Sequence, residues 1–272
     1  MLKHHAMKLI YFISAFLLTF INAYSQSPNQ TEMVTLNGVN VYYEVYGKGK
    51  PLFLLHGFTQ SSKSWHPFID DYANEFEVYL VDLKGHGQSG QFKEKLSIKA
   101  AAQDLDALIK HLKLQSIHAI GFSYGGDVLF QLALLNPGVI ESMISIGACG
   151  TWNANDFPHW VDYLSSKNVE NLPWMKEEQT SDEQIRSILD QTINYVVSVS
   201  DDEMKSINAK TLFVLGDQDD SIPLECIARA RKNIPNSFLW IFPNTGHSAH
   251  KDKNKTEFVR VSKEFFKTGF YK

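Results

Sequence analysis

The chain has 272 residues, 44% hydrophobic and 21% charged, with a formal net charge of -4 and a pI near 6.2. That length can bury a large core in one domain with room for an insertion. The mildly acidic balance gives no electrostatic basis for nucleic acid or an anionic membrane surface as a partner.

The chain opens with a basic start at Lys3, His4, His5 and Lys8, followed by a nearly unbroken apolar run from Leu9 to Ile21. Ala23-Tyr24-Ser25 then offers small residues before Gln26. This pattern predicts a secretory signal peptide over 1–25, cut near Ser25/Gln26, and an exported product that is periplasmic or secreted. The apolar run is short for a membrane span, so no stable membrane insertion is expected after cleavage. Only Cys149 and Cys226 are present. Two cysteines make no disulfide scaffold; two buried thiols are expected, with a bridge between them as the alternative in an oxidising compartment.

From residue 33 to 46 apolar and polar residues alternate on either side of Asn37-Gly38, the pair favoured in a two-residue hairpin turn. Pro51 to His56 is a continuous apolar run of the kind buried on both faces of a sheet. A helix is expected from Ser61 to about Asn74, a strand over 78–82, and a glycine-dense loop over 83–90. Ser97 caps a helix whose apolar residues Ile98, Ala101, Ala102, Leu105, Leu108, Ile109 and Leu112 keep the three-four spacing. A β-prone run then ends at Ile120, passes through Gly121-Phe122-Ser123-Tyr124-Gly125, and enters an apolar helix stopped by Asn136-Pro137. This is a strand, a sharp turn and a helix. In that setting G-x-S-x-G reads as a nucleophile elbow, which lifts a strained serine clear of the sheet at a helix N-terminus.

Another strand is expected over 139–148, after which the alternation of strand and helix lapses. Residues 151–205 lack strand runs and hold Trp152, Trp160 and Trp174. An insertion at the carboxyl end of a strand must sit over the ligand-binding end of the sheet, so this stretch is read as a helical cap. The sheet resumes with strands at 211–215 and 237–242, separated by a helix over 224–232, and a last helix runs to about Lys267. The basic knot Arg229-Ala230-Arg231-Lys232 is read as the solvated face of its helix. The resulting organisation is a signal peptide over 1–25, core over 26–150, cap over 151–205 and core over 206–272. The fold class is α/β, with a doubly wound, mostly parallel sheet and an N-terminal antiparallel hairpin.

A serine hydroxyl needs a base within reach, and the base needs an orienting acid. Asp219 and Asp220 follow the strand at 211–215, and His247 follows the strand at 237–242. The order serine, acid, histidine is the one that accompanies the elbow. His247 and His250 are three apart, but no further ligand stands at metal spacing, so no metal is assigned. No cofactor is expected. His56 and His86 read as residues that tie their own loops together.

Five ordered segments carry a resemblance: Leu55-His56-Gly57-Phe58, Asp82 to Ser89, Gly121 to Gly126, Gly216-Asp217-Gln218-Asp219 and Gly246-His247. Over residues 33–268 the chain resembles the α/β-hydrolase superfamily. The resemblance implies a sheet of about eight strands. It also implies Ser123 as nucleophile, His247 as base and Asp219 as acid, leaving Asp217 and Asp220 as turn residues. It further implies the backbone amides of Phe58 and Tyr124 as oxyanion donors. The side chains of Phe58 and Tyr124 are expected at the pocket mouth, with Trp152, Trp160 and Trp174 as further pocket residues. An elbow aspartate would suit dehalogenation or epoxide opening, and serine disfavours both. The single glycine of the Gly57 loop disfavours bulky tertiary esters. The activity implied is cleavage of a carboxylic ester, thioester or lactone of small to medium apolar character through an acyl-enzyme. A carbon-carbon bond hydrolase or perhydrolase would share the triad, and a ligand-binding protein on the same scaffold is the reading from a different class.

Overall fold

A computed structural model describes residues 26–270. The expected signal peptide, 1–25, lies outside the described residues. Ten strands are present among them: β1 (Gln30–Leu36), β2 (Val39–Gly47), β3 (Lys50–Leu55), β4 (Phe76–Val81), β5 (Ile117–Phe122), β6 (Ile140–Ile146), β7 (Thr151–Asn153), β8 (Val196–Ser198), β9 (Lys210–Gly216) and β10 (Ser237–Phe242). The helices are α1 (Ile69–Tyr72), α2 (Ile98–His111), α3 (Tyr124–Leu135), α4 (Pro158–Tyr163), α5 (Trp174–Glu178), α6 (Asp182–Asp190), α7 (Asp201–Ser206), α8 (Leu224–Asn233) and α9 (Lys255–Thr268), with short 3-10 turns between some of them.

Eight strands form one sheet in the order β1-β2-β4-β3-β5-β6-β9-β10. The first two pairings are antiparallel and the others parallel. This is the α/β sheet anticipated from the alternating pattern. Asn37 and Gly38 close the β1–β2 hairpin with φ of 50° and 75°, the left-handed pair that a two-residue turn between twisted strands requires. Crossovers place α2, α3 and α8 on one face of the sheet and α1 and α9 on the other, each over its own apolar cluster. Ser97 caps α2 by accepting from the Ala100 amide at 3.2 Å. The expected stripe from Ile98 to Ile109 is buried against the sheet, each large apolar side chain contributing about 1.5–3 kcal/mol.

After β3 the chain turns to β4 on one side, then crosses to β5 on the other. The crevice at this reversal, at the carboxyl ends of β3 and β5, is where a doubly wound sheet binds its ligands. Over it lies the insertion. The expectation of no strand there is corrected: β7 and β8 pair antiparallel, Trp152 opposite Val197, and form a neck between sheet and cap. Three-residue strands are too short to show alternation in a sequence. Above the neck, Val169, Leu172, Met175, Ile185, Ile188 and Leu189 make a small core of the cap's own.

The cysteine expectation is also corrected. Cys149 and Cys226 are joined in a disulfide across 77 residues, with Cα atoms 6.0 Å apart. The pairing of β6 with β9 brings the segment after β6 beside the start of α8. Their proximity follows from strand order, which cysteine spacing does not reveal. Among the described residues no helix is long and apolar enough to cross a membrane.

Candidate active site

Ser123 stands between β5 and α3 with φ 50° and ψ -112°, a conformation costly to any residue with a Cβ. Neighbouring strands hold it there. Its amide donates to Ile146 O at 2.7 Å, and the Gly125 amide donates to His56 O at 3.1 Å. A Cβ on Gly121 would lie 2.5 Å from the Gly125 carbonyl carbon, and one on Gly125 would lie 2.5 Å from Leu55 O. Only glycine fits at either place.

Leu55 and Gly121 are register partners on adjacent strands, so the segment leaving β3 runs beside the elbow. The Phe58 and Tyr124 amides donate no hydrogen bond to any described residue. The two side chains part company. Phe58 lines the cavity at the elbow. Tyr124, expected at the pocket mouth, is instead fully buried against His56, His86 and Tyr195. As the first residue of α3 it is rotated about 100° from the serine, which turns its ring into the core.

On the other side of the crevice, Asp219 has no exposed side-chain surface and accepts from His247 Nδ1 at 2.8 Å. Its other oxygen accepts from the Ser221 and Ile222 amides at 2.9 and 3.0 Å. The carboxylate is thereby fixed, and it fixes the imidazole with Nδ1 as the protonated nitrogen. His247 Nε2 bonds no described residue and remains free to act. Ser123 and His247 line the same cavity, with no hydrogen bond between them among the described residues. Such contacts are often long in unliganded enzymes and tighten on the substrate.

Asp220 has the Ser221 hydroxyl at 3.4 Å, a local turn contact. Asp217 does something that spacing did not suggest: it accepts from the Thr245 amide at 3.0 Å and ties the acid loop to the histidine loop. Backbone hydrogen bonds from Thr245 and Asn244 hold its carboxyl below the usual range. Gly147 directly follows β6. With φ 57° it passes so close to His247 that a Cβ would lie 2.8 Å from the ring. His86 bonds backbone within its own loop, at Lys84 O, whereas His56 joins two loops, donating from Nδ1 to Gly57 O at 2.8 Å and accepting the Leu83 amide of the glycine-dense loop at Nε2 at 3.0 Å. Burial pushes the two down to about 4 and about 3, so both are neutral. His250 is buried among aromatic rings, and the described residues hold no group of three or more His, Cys, Asp or Glu placed for a metal ion.

The cavity measures about 340 Å³. Trp152, Trp160 and Trp174 line it, together with Tyr163 and Tyr195, which the sequence reading did not single out. Among the described residues no lysine or arginine lines it, and the one carboxyl in the lining belongs to Asp127, one turn into α3 from the serine. Asp127 accepts from Gly150 N at 3.0 Å and Tyr195 OH at 2.8 Å, and burial pushes it up to about 7. Arg229, read as a solvated residue, binds Asp201, Thr151 Oγ1 and Val199 O at the neck.

A sequence model described as the alpha/beta hydrolase fold matches residues 50–199. A putative non-heme chloroperoxidase from Synechocystis sp. is 28% identical over 246 residues, covering 77% of this chain and 89% of that protein. An N-acyl homoserine lactone degrading enzyme has a similar structure, with TM-score 0.73 and 24% identity over 86% of this chain and all of the other (100%). A meta-cleavage product hydrolase from Pseudomonas fluorescens superposes with TM-score 0.72 at 20% identity, covering 88% of this chain and 98% of its own.

Proposed function

Because this chain belongs to the alpha/beta hydrolase fold family and is a hydrolase, we propose that it cleaves an uncharged carboxylic ester or lactone through an acyl-enzyme on Ser123. One observation carries this reading above the rest. The buried Asp219 carboxylate holds the His247 imidazole by Nδ1, so that unpaired Nε2 and the elbow serine share one cavity.

In the proposed reaction Ser123 Oγ attacks the carbonyl carbon while His247 Nε2 takes the hydroxyl proton. The resulting oxyanion accepts from the Phe58 and Tyr124 amides, which bond no other described residue and so need no reorganisation. Asp219 stabilises the imidazolium, which passes its proton to the departing alkoxide. Water, deprotonated by the same Nε2, then attacks the acyl-enzyme, and the acid leaves as the serine regains its proton. The aromatic walls favour an apolar acyl or alcohol group. Without a lysine or arginine in the lining, and with Asp127 in it, a carboxylate on the substrate would meet no counter-charge.

Hydrolysis of p-nitrophenyl esters of increasing acyl length, and of lactones, tests this reading. The wild-type chain is expected to turn over short to medium neutral esters. Ser123→Ala should lower kcat by about 10⁴-fold or more with an unchanged far-UV circular dichroism spectrum. Retained turnover in that variant would place the nucleophile elsewhere.

A further inference from the structure

Two consecutive cap residues take hold of the loop that carries the Phe58 amide. Gln179 is 5% exposed, and its side-chain amide donates to Thr59 O at 3.0 Å and Gln60 O at 3.1 Å. Its carbonyl accepts the Gly87 amide of the glycine-rich loop at 2.7 Å. Glu178 accepts from the Ser61 amide and hydroxyl at 2.9 and 2.6 Å. The loop needs such support, because Thr59 has φ 71° without being a glycine. Strain of that kind persists only where the surroundings over-determine it. From inside the loop, Gln60 donates its amide to Gly57 O at 3.1 Å and accepts the Gly57 amide on its side chain at 3.3 Å, and His56 Nδ1 donates to Gly57 O at 2.8 Å, but among the described residues none of these bonds reaches the Thr59 or Gln60 carbonyl. The hold reaches back into the cap core: the Gln179 amide donates to Met175 O, and Met175 is fully buried among the cap's apolar residues.

We propose that Gln179 is a positioning residue for the hydrolysis, through which the cap fixes the Phe58 amide at the spot where the oxyanion develops. The proposal rests on the reading above of Phe58 as an oxyanion donor. The cap is then part of the catalytic frame as well as a cover over the pocket. An oxyanion donor acts only if its position is set before the charge appears. Gln179 sets it by closing both orphaned carbonyls that follow Phe58. Gln184 supplies the internal comparison. It is also buried and glutamine, and it donates to Gly85 O and Gly87 O at 3.2 and 2.8 Å, but it bonds nothing between residues 57 and 61.

The test compares Gln179→Met and Gln184→Met, each of which keeps side-chain volume and removes the amide. The readouts are kcat and KM for p-nitrophenyl acetate, inhibition by a trifluoromethyl ketone that forms a tetrahedral oxyanion adduct on serine, and melting temperature. Gln179→Met should lose about 10-fold or more in kcat and as much in ketone affinity, with KM within about twofold. Gln184→Met should lower the melting temperature comparably and keep kcat and ketone affinity within about threefold. If Gln179→Met does not fold, Gln179→Asn, which withdraws the amide by one methylene, is held to the same expectations. Unchanged kcat in the Gln179 variant, or equal losses in both variants, would overturn the proposal while leaving the hydrolytic reading intact. A folded wild-type protein that neither turns over the ester nor binds the ketone would overturn both.

Discussion

At the scale of single residues, the site is made of side chains held in costly states by neighbours that leave them no alternative. Ser123 occupies φ 50° because Gly121 and Gly125 let three strand ends close around it. Asp219 stays buried because each oxygen has a donor. Asp127 shows the same economy with a different outcome. It is 2% exposed, and burial pushes its carboxyl from the ordinary 3.8 to about 7 despite the bonds from Tyr195 and Gly150. The folded chain therefore keeps the Asp127 proton between about pH 4 and pH 7, while the unfolded chain has released it. Stability from this group is present at the acid end of that window and is lost as pH rises through it. Asp127→Asn abolishes the titration, and Tyr195 OH can turn to suit the amide. The melting temperature of the variant relative to wild type should therefore rise by about 3 °C or more from pH 4.5 to pH 8. Asp82, Asp104 and Glu178, also pushed up by burial, are common to both proteins and cancel. Parallel pH curves would refute this account of Asp127.

At the scale of elements, what could be read in the sequence followed the length and regularity of each piece. α2 announces itself by fourteen residues of three-four spacing behind a capping serine, and the elbow by two glycines that tolerate no substitute. The cap was legible as a gap in the strand pattern that holds three tryptophans, and its individual elements were less so. Its helices α4 and α5 have six and five residues, too few for a periodic stripe. Its neck strands are shorter still. The bonds that anchor it, from Gln179, Gln184 and Arg229, join residues that are polar and far apart in the chain. Composition assigns such residues to the surface, and only tertiary contact reveals otherwise. The same holds for the Cys149–Cys226 bridge, which staples the start of the insertion to α8 beside the acid loop. Replacing both cysteines by serine should cost about 2–4 kcal/mol of unfolding free energy, since the bridge closes a long loop in the unfolded chain. Urea unfolding of the oxidised protein and of the double variant measures this. Coincident midpoints would mean that the neck ribbon and Arg229 hold the insertion without help.

At the scale of the whole molecule, one sheet brings together residues that lie more than a hundred positions apart. β3 and β5 deliver the Phe58 loop and Ser123 to the reversal of strand order, while β9 and β10 deliver Asp219 and His247 from the far side. The insertion closes the space above them with aromatic rings. This convergence was legible because the parallel strands of an α/β sheet put the loops that follow them at the same rim, so that serine, acid and histidine had one place to meet. The shape and polarity of the cavity were less so, since Tyr163, Tyr195 and Asp127 reach it by packing and without a motif. If Ser123 is a nucleophile activated by His247, a fluorophosphonate probe followed by peptide mass spectrometry detects it directly. A single adduct is expected on Ser123 in the wild-type protein, absent in Ser123→Ala and formed at least about 10²-fold more slowly in His247→Ala. A folded wild-type protein that takes up no label, or takes it on another residue, would contradict it.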